Sequence, residues 1–119
     1  MEQTEKLRKA CMGQQTAGDL DELLWAALKE TEPEMFRTAK GLDFTYQIRG
    51  NEMFVSRKDK SITRSTVNYA FHQALEVQER EGMVSGPKKL GAFGASYLYP
   101  VFLRLGIITR TSFPTLDVF

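Results

Sequence analysis

The sequence predicts a single α+β domain over residues 1–119, with helices packed on a small antiparallel sheet. Two observations lead to this fold class. Between residues 44 and 57, apolar and polar residues alternate on either side of Gly50-Asn51, which is typical of a β-hairpin. After Ser61, apolar residues instead recur every three or four positions, which is typical of an amphipathic helix. A composition of 42% hydrophobic and 26% charged residues is ordinary for a globular protein.

The N-terminal part, residues 1–41, predicts helices. A short first helix would carry three apolar residues on one face: Leu7, Ala10 and Cys11. A second helix is predicted around residues 20–28, where leucines and alanines repeat at helical spacing and Trp25 lies at the edge of the apolar face. Pro33 is well placed as the first residue of a third short helix, which Gly41 would end.

The hairpin-helix core is assigned to residues 42–109, and its register follows from the loop. Gly50 and Asn51 tolerate the positive φ of a two-residue hairpin loop, so Arg49 faces Glu52. Counting outward pairs Ile48 with Met53, Tyr46 with Val55 and Phe44 with Arg57. This register puts the apolar residues of the 44–57 hairpin on one face, with Phe54 as the large apolar exception on the other.

Two further helices are predicted to pack on this hairpin. The first is a long helix over about 62–81, capped by Ser61 or Thr63 and ended by Gly82. The second is a C-terminal helix over about 96–105, ended by Gly106. Ile107-Ile108-Thr109 would then form a third strand beside the hairpin. The apolar tail, residues 110–119, would dock on the domain or on a partner.

Charge and cysteine content limit the function classes. Residues 1–43 are net −3 and residues 44–119 are net +4, which is compatible with a basic binding face and equally with a solvated surface. Cys11 is the only cysteine, so neither an intramolecular disulfide nor a cysteine-based zinc cluster can form. No apolar run is long enough to span a bilayer, and no signal sequence is evident at the start, so a cytoplasmic location without membrane contact is expected.

The segment Ser61–Val67 resembles the recognition-helix half of a helix-turn-helix motif. The resemblance implies that Arg64, Ser65 and Asn68 reach base edges. Four further cations would complete the nucleic-acid-binding set: Arg49, Arg57, Lys58 and Lys60. The residues before Ser61 predict a strand where the motif has its first helix. Two alternatives therefore stay open, namely a capped core helix with a solvated polar side and a hairpin laid in a groove.

A second candidate site lies in residues 88–96, where a glycine-bearing loop precedes a predicted helix. Free amides at a helix start attract anions, so the predicted anion-binding residues are Lys88, Lys89, Gly94, Ala95 and Ser96. The loop has the Gly-x-x-Gly spacing of a KH domain, but Ala92 and Phe93 stand where that loop is basic. It lacks the Lys-Ser/Thr pair of a Walker P-loop. The alternative role of Gly91 and Gly94 is tight turning and close helix packing.

The block from Gly41 to Ile108 carries the elements FTYQIRGNEMF, SITRSTV and GASYLYPVFLRLGII. With them it resembles a small uncharacterised bacterial protein family found in genomes rich in mobile elements. The resemblance covers a little over half the chain. It implies a bacterial or phage cytoplasmic protein and brings no activity, ligand or catalytic residue with it.

The function predicted from these observations is a non-catalytic nucleic-acid-binding or regulatory module. No catalytic residue, metal site or cofactor is predicted: His72 and Cys11 lack partners at a catalytic spacing, and Glu30, Glu32 and Glu34 suggest helix-start electrostatics. One alternative is a protein-protein interaction module, either an oligomer or an inhibitor of a host protein, using Phe54, Trp25 or the Phe113 to Phe119 tail. A further alternative is a binder of a phosphorylated small molecule at the 88–96 loop.

Overall fold

The computed structural model describes residues 2–13 and 17–111. In it, a hairpin and a short third strand lie between two N-terminal helices and two C-terminal helices. The helices are α1 (Glu2–Cys11), α2 (Ala17–Glu30), α3 (Arg64–Glu81) and α4 (Ala95–Leu105), with a 3₁₀ helix at Pro87–Leu90. The strands are β1 (Phe36–Arg37), β2 (Asp43–Phe44), β3 (Tyr46–Arg49), β4 (Glu52–Val55) and β5 (Ile62–Thr63). Strands β1 and β2 pair with each other, and β3, β4 and β5 form an antiparallel sheet in that order. The predicted α+β class is confirmed.

The hairpin has the predicted loop and register over β3 and β4. Gly50 adopts φ +58°, and Arg49 pairs with Glu52 across the two-residue loop. The predicted pairing of Phe44 with Arg57 is wrong, because Phe44 belongs to β2 and pairs with Phe36. Their rings stack with centroids 5.8 Å apart, so this pairing buries two aromatic side chains instead of placing one beside an exposed arginine.

The predicted helix after Pro33 is also wrong. Phe36 is buried while its neighbours Met35 and Arg37 are exposed, which is the two-residue alternation of a strand. Gly41, at φ +87°, lies in the turn between β1 and β2 and does not end a helix. A local proline signal was outweighed here by burial of Phe36 in the core.

The third strand of the main sheet is β5, not the predicted Ile107-Ile108-Thr109 segment. Ile107 and Ile108 are buried, but Thr109 uses its backbone on another element: its amide donates to Gln78 Oε1 at 2.9 Å. Its carbonyl accepts from the Val84 amide at 2.8 Å. The segment therefore packs against the end of α3 while β5 pairs with β4.

The two predicted core helices are confirmed within two residues. Thr63 caps α3 by accepting a hydrogen bond from the Thr66 amide at 3.2 Å, and Gly82 ends the helix at φ +76°. Helix α4 runs over Ala95–Leu105 and ends at Gly106.

One hydrophobic cluster joins these elements, and its largest fully buried side chains include Tyr46, Phe71 and Phe102. The Tyr46 hydroxyl donates to the Leu28 carbonyl at 2.6 Å and lies 2.7 Å from Thr31 Oγ1. Burial raises the pKa of Tyr46, so it stays a neutral donor. Within residues 2–13 and 17–111, no helix is long and apolar enough to cross a membrane. Residues 112–119 of the predicted tail lie outside the described part of the chain.

Candidate nucleic-acid interface

Two lysine side chains converge on one exposed aromatic ring at the junction of the β4–β5 turn and the loop before α4. Lys58 Nζ lies 3.9 Å from the centroid of the Phe93 ring, and Lys60 Nζ lies 5.7 Å from it. Lys58 Nζ is also 5.9 Å from the ring of Tyr97. Phe93 is 48% exposed, so these cations surround a ring that solvent still reaches. We call Lys58, Lys60, Phe93 and Tyr97 the lysine–aromatic surface.

A close backbone approach brings the two halves of this surface together. The turn that carries the lysines begins with a hydrogen bond from the Lys58 amide to the Val55 carbonyl at 3.0 Å. It ends at β5, whose Ile62 side chain is fully buried against Gly94. A Cβ at Gly94 would lie 2.3 Å from Ile62 Cδ1, so only glycine fits here. Because Phe93 precedes Gly94, this contact places its ring beside the lysines.

Arg57 adds a third cation at the start of the same turn. Its Nε donates to the backbone carbonyl of Asp43. The Asp43 carboxylate accepts from Arg37 Nε at 2.8 Å, and that hydrogen bond and charge hold the pKa of Asp43 below its ordinary value. The Asp43 charge is therefore balanced by Arg37. Asp59 is the acidic residue within the turn.

Arg64, a predicted base reader, connects helices. Its Nη2 donates to Glu22 Oε2 at 3.0 Å, its Nη1 donates to Asn51 Oδ1 at 3.2 Å, and its guanidinium carbon lies 4.9 Å from the Trp25 ring centroid. The side chain is 22% exposed. These contacts fix α3 to α2 and to the hairpin loop, which accounts for Arg64 without a ligand.

Two further polar residues of α3, Asn68 and His72, follow Arg64 along the helix at intervals of four residues. The Oδ1 atom of Asn68 is buried and has no hydrogen-bond partner among the described residues. His72 Nε2 lies 2.7 Å from Asp21 Oδ1 of α2. The row of Arg64, Asn68 and His72 therefore faces α2, whereas Ser65 is exposed. The arrangement does not bring the three predicted readers, Arg64, Ser65 and Asn68, onto one outward face.

Arg49 lies on the open face of the main sheet. Its Nη2 donates to Gln47 Oε1 at 2.6 Å, and its guanidinium carbon is 5.8 Å from the Phe54 ring centroid. Phe54 is 39% exposed on the central strand β4. This exposed cation–aromatic pair is separate from the one at Phe93.

The predicted anion site at residues 88–96 is dispersed. Lys89 Nζ donates to Glu81 Oε1 at 3.2 Å, and this hydrogen bond lowers the pKa of Glu81. At the start of α4, the amide of Ala95 donates to the Ala92 carbonyl, and that of Tyr97 to the Gly94 carbonyl. Lys88 is exposed on the 3₁₀ helix, and Ser96 lines a cavity of about 270 Å³ that neither lysine lines. Gly94 makes a close approach, as predicted, but to the Ile62 side chain of β5, whereas an added Cβ at Gly91 would meet no atom within 4 Å.

The glutamates around Pro33 act separately. Glu30 accepts hydrogen bonds from two amides in the first turn of α1, at 3.0 Å each, and these bonds lower its pKa. Glu32 Oε2 accepts from the Ile48 amide at 2.6 Å, and Glu34 pairs with Arg104 at 2.8 Å. The predicted helix-start role of these glutamates at Pro33 is wrong, because no helix begins there; Glu30 instead binds the first turn of α1. Across the described residues, no group of three side chains could hold a metal ion.

Of the residues predicted for protein contacts, Phe54 is exposed, but Trp25 is buried and donates its Nε1 hydrogen to the Gly50 carbonyl at 3.1 Å. The Phe113 to Phe119 tail lies outside the described residues. Burial raises the pKa of the Cys11 thiol to about 11, so this group is not a thiolate at neutral pH. Trp25 and Cys11 are therefore explained by the fold.

Phe93 and Tyr97 were missed as site residues by sequence reasoning. Phe93 stands between two glycines in a segment without helix or strand periodicity, and such a segment offers no apolar face for burial. That signal could have marked it as exposed, but nothing in the spacing places it beside Lys58.

Comparisons of this chain with protein-family models, with curated proteins and with solved structures found no match. The resemblance to a bacterial family of mobile-element-rich genomes therefore stays a prediction. Any functional assignment depends on the geometry of the described residues alone.

Proposed function

We propose that this protein is a non-catalytic nucleic-acid-binding module whose contact site is the lysine–aromatic surface. The observation that carries the proposal is the convergence of two lysine ammonium groups on the exposed Phe93 ring. Lysines neutralise phosphates, and an exposed aromatic ring offers a stacking face to a base. The surface therefore matches both chemical parts of a nucleotide.

The proposal uses fewer cations than the sequence predicted. Lys58, Lys60 and neighbouring Arg57 lie in the same turn between β4 and β5. Asp59 is the acidic residue of that turn. Arg64 is excluded because its guanidinium group is already engaged by Glu22 and Asn51. With three cations in play, the expected affinity is modest and strongly dependent on salt.

The test is fluorescence anisotropy with labelled single-stranded DNA, single-stranded RNA and duplex DNA at about 10 mM salt, where the Debye length is about 30 Å. Binding of at least one probe is expected, with an affinity that falls as salt is added. The double variant Lys58→Ala/Lys60→Ala should reduce the slope of log K against log salt by about 2, because two phosphate contacts are lost.

A matched control separates this surface from net charge. Lys9 and Lys29 are exposed on α1 and α2, so Lys9→Ala/Lys29→Ala removes the same two charges elsewhere. This control should leave the slope and affinity nearly unchanged. Absence of binding to all three probes at low salt would refute the proposal, as would an equal loss in both double variants.

A further inference from the structure

The open face of the main sheet repeats the arrangement found at Phe93. Phe54 is 39% exposed on the central strand, and the Arg49 guanidinium carbon lies 5.8 Å from its ring centroid. Gln47, directly opposite Phe54 on β3, accepts a hydrogen bond from Arg49. Each exposed ring therefore has a cation over it and polar side chains beside it, so each combines a stacking face with a phosphate-binding group.

A short segment of chain, Lys60-Ser61, lies between the two rings. Met53 pairs with Ile62, so the next position of the antiparallel register sets Phe54 beside Ser61. Lys60 precedes Ser61, and its ammonium group lies 5.7 Å from the Phe93 ring centroid. The Lys60-Ser61 segment thus separates the Phe54 ring on one side from the Phe93 ring on the other.

From this arrangement, and resting on the proposed function, we infer that the ligand is a single-stranded nucleic acid with unpaired bases stacked on Phe93 and Phe54. Its backbone passes over Lys60 between the two rings. Stacking of this kind needs base faces that a duplex hides within its own stack. The incoming base displaces the flexible Lys58 side chain from the Phe93 ring. The Lys58 ammonium group then pairs with a phosphate of the strand.

Charge and orientation support a single strand over a duplex. The helix that could have entered a major groove, α3, turns Arg64 and His72 toward acidic side chains of α2. Glu52 is the acidic residue on the open face, and its carboxylate accepts a hydrogen bond from the Ser61 hydroxyl. Because this acid lies beside the inferred backbone path, Glu52→Gln should strengthen binding of a single strand.

The experiment measures anisotropy of a labelled single strand of about 15 nucleotides, which is within the site size of known single-strand binders. Phe93→Ala and Phe54→Ala should each weaken binding by roughly 5-fold or more, as loss of one base–aromatic stack predicts. Phe93→Tyr should retain the affinity. Tyr69, which is 56% exposed on α3, supplies the matched aromatic control, and Tyr69→Ala should have no effect. Thermal melts followed by circular dichroism confirm that each variant is folded.

Two further probes decide the binding mode. An abasic strand of the same length should bind at least 5-fold more weakly than the normal strand, because the phosphates remain and the stacking partners are gone. A duplex should also bind more weakly. Equal affinity for normal and abasic strands, or unchanged binding by both phenylalanine variants, would overturn this inference. If the Lys58→Ala/Lys60→Ala effect persisted in that case, the proposed function would stand, whereas failure of every nucleic acid to bind would remove both.

Discussion

Replacing Gly94 by alanine should cost about 2–5 kcal/mol of the free energy of unfolding. Its φ of +81° is a left-handed conformation that costs a residue with a Cβ about 1–2 kcal/mol. The added Cβ would also lie 2.3 Å from Ile62 Cδ1 and 2.9 Å from Cγ1. Ile62 is fully buried and cannot swing into solvent, so overpacking adds about 1–3 kcal/mol.

Gly82 provides the matched control for this substitution. Its φ is +76°, and an added Cβ would meet no atom within 4 Å, so Gly82→Ala should cost only the backbone contribution of about 1–2 kcal/mol. Any gain from a stiffer unfolded chain is common to both variants and cancels in their difference. Urea unfolding with a shared m-value gives both free energies of unfolding.

Shortening the Ile62 side chain tests whether its contact with residue 94 causes the extra loss of stability. Ile62→Val removes Cδ1 and should cost about 0.5–1.5 kcal/mol in the wild-type background. In the Gly94→Ala background, the same change should cost less or stabilise, because it opens room for the new methyl group. Equal losses for Gly94→Ala and Gly82→Ala, together with additive effects of Ile62→Val, would refute the claim that this close approach holds the Phe93 loop against β5.

Two further predictions concern the scaffold. Tyr46→Phe should cost about 1–3 kcal/mol in urea unfolding, because the Leu28 carbonyl loses its buried donor, and a loss below about 0.5 kcal/mol would contradict this reasoning. Glu30→Gln should lower the melting temperature at neutral pH, because the carboxylate accepts two amides of α1. Its folded pKa lies below the ordinary 4.5, so the stabilisation is present above that pH and is lost as pH falls further. The gap between wild type and variant should therefore close in acid, and a gap independent of pH would be the contrary result.

The parts of the fold that the sequence predicted well are those fixed by local signals. Gly50-Asn51 and the alternation around it set the hairpin register, and Thr63 with Gly82 bounded the long helix. The errors arose where a distant partner decided the local structure. The Pro33 signal gave way to burial of Phe36 in the core, and β5 is two residues long, too short for any periodicity.

The residues of the candidate site also fall into those that local signals predicted and those that depend on a distant partner. Lys58 and Lys60 were predicted to bind phosphates because of their position between hairpin and helix, which depends on neighbouring residues. Phe93 was missed because its place beside them depends on the contact of Gly94 with Ile62, more than thirty residues apart in the chain. The inward turn of Arg64 likewise depends on Glu22 of another helix. Contacts between residues far apart in the chain, such as these two, cannot be predicted from the spacing of residues along the sequence.

The convergence of Lys58 and Lys60 places two positive charges close together beside Phe93. Both ammonium groups lie over one ring, at 3.9 and 5.7 Å from its centroid, so they are no more than about 10 Å apart, close to the Debye length at physiological salt. Their repulsion is therefore only partly screened, and attraction to the Phe93 ring offsets part of it. A phosphate backbone placed between them would turn this repulsion into attraction. Two positive charges held this close together attract a polyanion more strongly than the same charges far apart, and the proposed nucleic-acid role uses this attraction.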